Sequence, residues 1–155
     1  MAIRAVKKVD IKGKTIANYK RWRANNLTAV CFDSKFEWTC YTKLKKEKFN
    51  FTFHPPQREL VPKFQSLALS SGKGARKLFR STVRSISYTT DFAVHCDSGV
   101  TVFIEAKGFF HPDARIRYKL FQGSLVPGEI SVLVMQKNGN RDIEGIIRII
   151  KEELG

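Results

Sequence analysis

Two carboxylates and a lysine stand at the ends of two neighbouring segments that are both predicted to be strands. Asp91 is followed fourteen residues later by Glu105-Ala-Lys107. The turn-like sequence of residues 97–99 predicts a hairpin, which would bring Asp91 beside Glu105. Lys107 comes two residues later and is expected on the same strand face as Glu105. Two oxygen ligands and one ammonium at a sheet margin are groups that can hold Mg²⁺ and a water against a phosphodiester.

The segments over residues 84–96 and 99–106 are the predicted strands of this hairpin. The second segment carries apolar residues on both faces, which predicts a central strand that is covered on both sides. A charged Glu105 at the end of such a strand needs a partner. A metal ion and a salt bridge with Lys107 or an arginine are both compatible with the sequence.

A helix is predicted over residues 34–47, with Asp33 as its N-cap. Every fourth residue from Phe36 to Leu44 is apolar and lysines lie opposite, as in an amphipathic helix. Glu37 falls in the first turn, where an acid suits the positive end of the helix dipole. Alternatively, Glu37 borders the buried face and points at the sheet, where it would join the other carboxylates.

Further elements complete a predicted domain of residues 31–155. They are a strand over Phe49–Phe53, an extended piece within Arg58–Leu69, a helix over residues 114–122, a strand over Ser131–Met135 and a closing helix over residues 143–154. The helix over residues 114–122 is expected to be capped by Asp113 and to bury Ile116 and Leu120. The strand after it is expected to run parallel to the Glu105 strand. This order predicts an α/β fold in which a mixed β-sheet is flanked by α-helices.

The net charge of +14 is concentrated in two segments of the chain. Residues 1–32 hold eight Lys or Arg and one acid, and residues 60–90 hold six and no acid. Such a field favours a polyanionic partner, namely nucleic acid, although lysine-rich surfaces also keep proteins soluble. The candidate DNA-binding residues are Lys20, Arg21, Arg23, Lys73, Arg76, Lys77, Arg80, Arg84, Arg115 and Lys119.

Residues 1–30 are predicted to form a basic N-terminal arm. Within it, the segment from Tyr19 to Arg23 interleaves aromatic with basic residues, a pattern that suits stacking on bases or contact with phosphates. Packing of Trp22 onto the domain is an equally compatible interpretation. Residues 70–77 are basic and contain glycine, so they are predicted to be either a loop that grips the DNA backbone or a disordered hairpin tip.

Composition excludes several classes of protein. The chain is 43% hydrophobic, too apolar for a disordered tail, and no run approaches the length of a membrane span. Its three cysteines do not form a disulfide framework, so reduced thiols in the cytoplasm are expected. A zinc site from these cysteines and a histidine stays open, although no CxxC pair exists. The absence of GxSxG disfavours a Ser-His-Asp hydrolase, and GxxxxGK[ST] is also absent.

An ordered set of motifs resembles the PD-(D/E)xK nuclease superfamily, and within it the small phage nucleases of the endonuclease I type that resolve Holliday junctions. The resemblance covers residues 30–135. Its motifs are Phe32-Asp-Ser-Lys-Phe-Glu37, the lysine-rich helix with Phe49–Leu60, Tyr88-Thr-Thr-Asp91-Phe92, Glu105-Ala-Lys-Gly-Phe109 and Ala114-Arg-Ile-Arg-Tyr-Lys-Leu-Phe121.

The resemblance implies a restriction-endonuclease-like fold and a role for each site residue. Asp91 and Glu105 would bind Mg²⁺ or Mn²⁺ with the backbone carbonyl of Ala106. Lys107 would orient or help to deprotonate the attacking water. Glu37 would complete the site directly, through water or at a second metal.

The expected function is that of a Mg²⁺-dependent DNA endonuclease that acts on branched DNA as a homodimer, in the cytoplasm (of the host, if the gene is phage-encoded). One alternative is a nuclease of the same fold that cuts linear, single-stranded or foreign DNA. Another is a non-catalytic DNA-binding or packaging module. Thr90 stands where the resembled family usually has proline, which only shapes the backbone there.

Overall fold

A computed structural model of the protein describes residues 7–69 and 78–155. Within these ranges the helices are α1 (Tyr19–Asn25), α2 (Lys35–Lys46), α3 (Pro112–Gly123) and α4 (Arg141–Ile149). The strands are β1 (Val9–Asp10), β2 (Cys31–Phe32), β3 (Phe51–Phe53), β4 (Arg58–Val61), β5 (Phe64–Leu69), β6 (Leu78–Val83), β7 (Ile86–Tyr88), β8 (Phe92–His95), β9 (Thr101–Lys107) and β10 (Glu129–Met135). A short 3₁₀ helix over Gln136–Asn138 and a π-helical turn over Ile150–Leu154 adjoin α4.

A four-stranded mixed sheet in the order β10-β9-β8-β3 forms the centre of the fold. β8 and β9 pair antiparallel, which confirms the predicted hairpin, and β10 pairs parallel to β9, also as predicted. β3 completes the sheet antiparallel to β8. β9 is therefore an interior strand, and the predicted α/β class with a mixed sheet flanked by helices is confirmed.

Helices cover both faces of this sheet. On one face, α2 and α4 pack with Val102, Ile104 and Ala106 of β9 into a buried core. On the other face, α3 packs with Phe103 and with Tyr88 of β7. Because side chains alternate along a strand, Glu105 and Lys107 share the α3 side with Phe103. Each large apolar side chain that is buried in these layers stabilises the fold by about 1.5–3 kcal/mol.

The start of α2 differs by one residue from the prediction. Ser34, not Asp33, is the N-cap: its backbone is extended and its hydroxyl accepts the Glu37 N–H at 3.1 Å. Asp33 pairs instead with Lys8, which comes from the segment before β1. Both residue types can cap a helix, and this contact with a distant part of the chain decides between them.

The buried face of α3 is also different from the predicted one. Tyr118 and Phe121 are buried, whereas Ile116 and Leu120 are 62% and 40% exposed. The stripe of Ala114, Tyr118 and Phe121 competes with the Ile116 stripe at the same helical spacing, and its aromatic rings remove more apolar area from water. The predicted cap is also wrong, because α3 begins at Pro112 after His111 and Asp113 lies inside the first turn.

Residues 7–16 contact the rest of the fold through β1. Val9 is buried and pairs with Phe32 of β2, and the Trp38 indole N–H donates to the Ile11 carbonyl at 3.0 Å. Gly13 adopts a positive φ of 75°, and a Cβ there would lie 2.8 Å from the Trp38 ring. This turn therefore requires glycine both for its backbone conformation and for the close approach of the indole.

The remaining strands form two-stranded pairs, β4 with β7 and β5 with β6. The extended piece predicted within Arg58–Leu69 is thus confirmed as two strands. The first predicted strand of the hairpin is divided into β7 and β8 by residues 89–91. In the described part of the chain, no helix is long and apolar enough to cross a membrane.

Candidate functional site

The hairpin register places the two predicted metal ligands side by side. Phe92 pairs with Ile104, so Asp91, which immediately precedes β8, lies opposite Glu105 on β9. Glu37 reaches the same region from the first turn of α2. A cleft of about 290 Å³ is lined by Glu37, Asp91, Ala106 and Lys107, among others. The structure thus brings together the four side chains that the sequence singled out.

Lys107 links the two hairpin carboxylates. Its ammonium nitrogen lies 2.5 Å from Glu105 Oε1 and 3.9 Å from Asp91 Oδ2. Burial lowers the pKa of Lys107, but the charges of Asp91 and Glu105 outweigh it and the net shift is upward. Lys107 is therefore held as a cation, and the salt bridge that the sequence left open is present.

The second oxygen of Glu105 is left without a partner. Glu105 is only 1% exposed, and among the described residues nothing donates a hydrogen bond to Oε2. The Tyr88 hydroxyl is close enough to lower the pKa of Glu105, yet it too makes no hydrogen bond within the described structure. Burial dominates and raises the pKa of Glu105. A buried carboxylate oxygen without a hydrogen-bond donor is an arrangement that a cation would stabilise.

The acidity of Asp91 is strongly perturbed. Burial is the largest cause and the negative charge of Glu105 is the next, and together they raise its pKa to about 7. Its Oδ2 accepts the Ala106 N–H at 2.7 Å, which holds the carboxylate against the backbone of β9. Near neutral pH this group passes between its neutral and charged forms, which is common for residues of active sites.

Glu37 is 2% exposed, so its side chain points into the fold. This agrees with the interpretation in which Glu37 borders the buried face of the helix. Its Oε2 accepts the Asp33 N–H at 2.7 Å, while Oε1 lies 2.8 Å from the Nε2 of His54. These contacts hold the carboxylate in one orientation at the N-terminus of α2, where the helix dipole favours a negative charge.

His54 is a residue of this cleft region that sequence reasoning did not place there. Its backbone N–H donates to the Asp91 carbonyl at 2.9 Å, and its ring stacks on Phe53 at a centroid distance of 3.9 Å. A positive φ of 48°, rare for a non-glycine residue, sets its direction. The hydrogen bond that the His54 ring donates to the Glu37 carboxylate is the largest cause of the raised pKa of His54. The sequence held a signal for this position, because His54 directly follows β3 and the pairing of Phe53 with Phe92 puts His54 next to Asp91.

Ligand atoms of Glu37, His54 and Asp91 all lie within 4.8 Å of one another, and they form one potential metal group within the described residues. Glu105 is outside this group, and so are the cysteines that the alternative zinc site would have used. Glu105 is instead joined to Asp91 through Lys107. The carboxylates thus divide into two adjoining sets, with Asp91 common to both.

A family model described as "Protein of unknown function (DUF1064)" matches residues 17–130. The chain belongs to this family. No curated protein and no solved structure matches the chain. The range matched by the DUF1064 model includes the five residues of the candidate site: Glu37, His54, Asp91, Glu105 and Lys107.

The predicted DNA-binding residues of this DUF1064 protein are distributed over several elements of the fold. Lys20 and Arg21 are exposed on α1, Arg80 and Arg84 on and just after β6, and Arg115 and Lys119 on α3. Lys73, Arg76 and Lys77 lie outside the described residues.

Arg23 is tied to its own segment, because its guanidinium donates to the Ala29 carbonyl at 2.7 Å. A groove of about 340 Å³ beside it is lined by Lys8, Tyr19 and Arg23 and also by Asp33 and His54. The aromatic and basic residues around α1 therefore adjoin the cleft.

Proposed function

We propose that this protein is a divalent-metal-dependent DNA endonuclease of the PD-(D/E)xK superfamily, with branched DNA as its substrate. The observation that carries the proposal is that Asp91, Glu105 and Lys107 meet at one margin of the sheet. Glu37, Asp91 and Lys107 line the cleft there, and Glu105 is buried beside them. The residues fit a hard cation, because Glu105 offers an unpaired buried oxygen and Asp91 a carboxylate at its side. Asp91, Glu105 and the Ala106 carbonyl would hold this cation.

When bound, the cation would polarise the phosphodiester and lower the pKa of a coordinated water. Lys107 supplies a fixed positive charge between the carboxylates. Because its pKa is raised, it suits the role of a donor that orients a water or a phosphate oxygen, and it suits the role of a general base less well. Asp91 is held in place by the Ala106 N–H, so the ligand set is largely formed before substrate arrives.

A basic surface near the cleft supports DNA as the partner. Lys20 and Arg21 are exposed on α1, and His54 is among the residues that line the groove beside this helix. Phe109 lines the cleft and is 68% exposed, so its ring is available to stack on an unpaired base. Positive charge along a phosphate path and an aromatic plane at the cleft suit a branched or locally unpaired substrate.

The proposal includes a homodimer, since resolving a junction requires two symmetric cuts. It also includes a reducing cytoplasm as the place of action. Cys31, Cys40 and Cys96 are all free thiols, which suits such a compartment.

Cleavage of a four-way junction and of a linear duplex of the same sequence, each with Mg²⁺, tests the proposal. The junction should be cut faster. Glu105→Gln should reduce cleavage by roughly 10³-fold or more, because ligation and charge neutralisation contribute several kcal/mol. Asp97→Asn changes an exposed carboxylate in the turn of the same hairpin and should have no effect.

Equal cleavage of both substrates would refute the preference for branched DNA and favour a nuclease that cuts linear DNA. If the protein binds DNA but does not cut it with any divalent cation, the alternative of a non-catalytic DNA-binding module would be favoured. Full activity of Glu105→Gln would refute the site itself.

A further inference from the structure

The Glu37–His54 pair joins the first turn of α2 to the residue that follows β3. We propose that Glu37, His54 and Asp91 form a second cation position that selects a first-row transition metal such as Mn²⁺ over Mg²⁺. This inference rests on the proposed function only in that it takes the cleft to be a metal centre. It adds an imidazole ligand, which the carboxylate pattern did not include.

The spacing of the three ligand atoms suits one ion. His54 Nε2 and Glu37 Oε1 are 2.8 Å apart, and all three ligand atoms lie within 4.8 Å of one another. Two ligands at right angles around an ion, each about 2.1 Å from it, are about 3 Å apart, and opposite ligands are about 4.2 Å apart. A small contraction is thus enough to close the site.

The backbone around each ligand holds it in place before any ion binds. Glu37 Oε2 is used by the Asp33 N–H, which leaves Oε1 turned toward His54. His54 is fixed by its N–H bond to the Asp91 carbonyl, by stacking on Phe53 and by the buried Pro55 that follows it. Binding an ion would therefore cost little side-chain ordering.

The chemistry of the ligand set determines which ion it favours. Mg²⁺ prefers oxygen ligands and retains several waters, whereas an imidazole nitrogen suits first-row transition metals. The position formed by Asp91 and Glu105 offers oxygen atoms alone, while the position with His54 offers one nitrogen and two carboxylates. Two neighbouring positions that share Asp91 would thus differ in preference.

Titration of the full-length protein with Mn²⁺ alone, followed by electron paramagnetic resonance without DNA, tests this inference. Wild-type protein should bind Mn²⁺ with a nitrogen modulation in the spin-echo signal and should bind Mg²⁺ more weakly at that position. His54→Gln should lose the nitrogen modulation and bind this Mn²⁺ at least about tenfold more weakly, because a direct ligand is lost. A glutamine amide can still donate a hydrogen bond to the Glu37 carboxylate, and Ser34 still caps α2.

His95→Gln is the matched control. His95 lies at the opposite end of the same pair of strands, where its ring contacts Thr52, so this variant should bind Mn²⁺ as the wild type does. Thermal unfolding of each variant in EDTA checks that the fold is intact.

The inference would be overturned by an unchanged Mn²⁺ affinity in His54→Gln, or by a wild-type signal without nitrogen modulation. Glu105→Gln separates it from the proposed function: this variant should lose cleavage but keep the Mn²⁺ site with its nitrogen signal. A protein that binds Mn²⁺ through His54 yet never cuts DNA would refute the function and leave this site standing.

Discussion

Replacement of Asp91 by asparagine should make the metal-free protein more stable above neutral pH. The pKa of Asp91 is raised from 3.8 to about 7 by burial and by the charge of Glu105. A carboxyl with a higher pKa in the folded than in the unfolded state binds its proton more tightly when folded. Its contribution is therefore fully favourable below about pH 4 and is lost as the pH rises toward 7.

The size of the effect follows from the shift in pKa. The rise in the pKa of Asp91 from 3.8 to about 7 sets a ceiling of about 4 kcal/mol for the cost of its charge in the fold at pH 8. The pKa of about 7 already includes the favourable charge of Lys107. Glu105 competes with Asp91 for a proton in the same buried site, so a gain of about 1–3 kcal/mol is expected for Asp91→Asn. The asparagine oxygen can still accept the Ala106 N–H, so that hydrogen bond is kept. For a chain of this length, the gain corresponds to a rise of about 2–4 °C in Tm per kcal/mol.

Thermal unfolding of both proteins in EDTA at pH 5 and pH 8 measures this effect. Asp91→Asn should exceed the wild type clearly at pH 8 and by much less at pH 5. Mg²⁺ should raise the Tm of the wild type at pH 8 but not that of the variant, because the variant has lost a charged ligand. Asp97→Asn, in the exposed turn, is the control and should be close to the wild type at both pH values.

A variant that is no more stable than the wild type at pH 8 would refute the reasoning, and so would an advantage of equal size at both pH values. In the first case the charge of Asp91 is not costly in the fold. In the second, the gain comes from a contact that does not depend on ionisation.

Three further predictions concern residues around the cleft and on the surface. Lys107→Met should lower the cleavage rate by roughly 10²–10³-fold while DNA binding in Ca²⁺ persists. Cleavage assays and gel shifts measure the two quantities, and an unchanged cleavage rate would contradict the prediction. Arg58→Ala breaks a paired contact with Glu129 at 2.7 and 2.8 Å and should cost about 1–3 kcal/mol in urea unfolding, and a loss near zero would show that the contact is fully replaced by water. Joint replacement of Lys20 and Arg21 by alanine should weaken DNA binding and reduce the slope of log K against log salt by about 1–2, and an unchanged slope would place α1 away from the DNA.

The local part of the site could be predicted from sequence. Asp91, Glu105 and Lys107 belong to one hairpin, and a short turn between two alternating segments sets the register that brings them together. The parallel strand after α3 follows from the general rule for crossover connections. These features depend on neighbours that are close along the chain, so the pattern of residue types was sufficient.

The buried face of α3, the cap of α2 and the position of His54 depended on contacts between distant segments. Two stripes of α3 were equally spaced, and the packing of Tyr118 and Phe121 against β7 and β9 decided between them. Ser34 caps α2 while Asp33 pairs with Lys8.

His54 meets Glu37 and Asp91 only because β3 pairs with β8 and α2 packs over that end of the sheet. By itself, the sequence determined the order of the elements and the carboxylate–lysine hairpin, whose partners are adjacent in the chain. Only the tertiary structure decided which long-range neighbours complete the cleft, because that choice depends on the area and polarity buried across several elements at once.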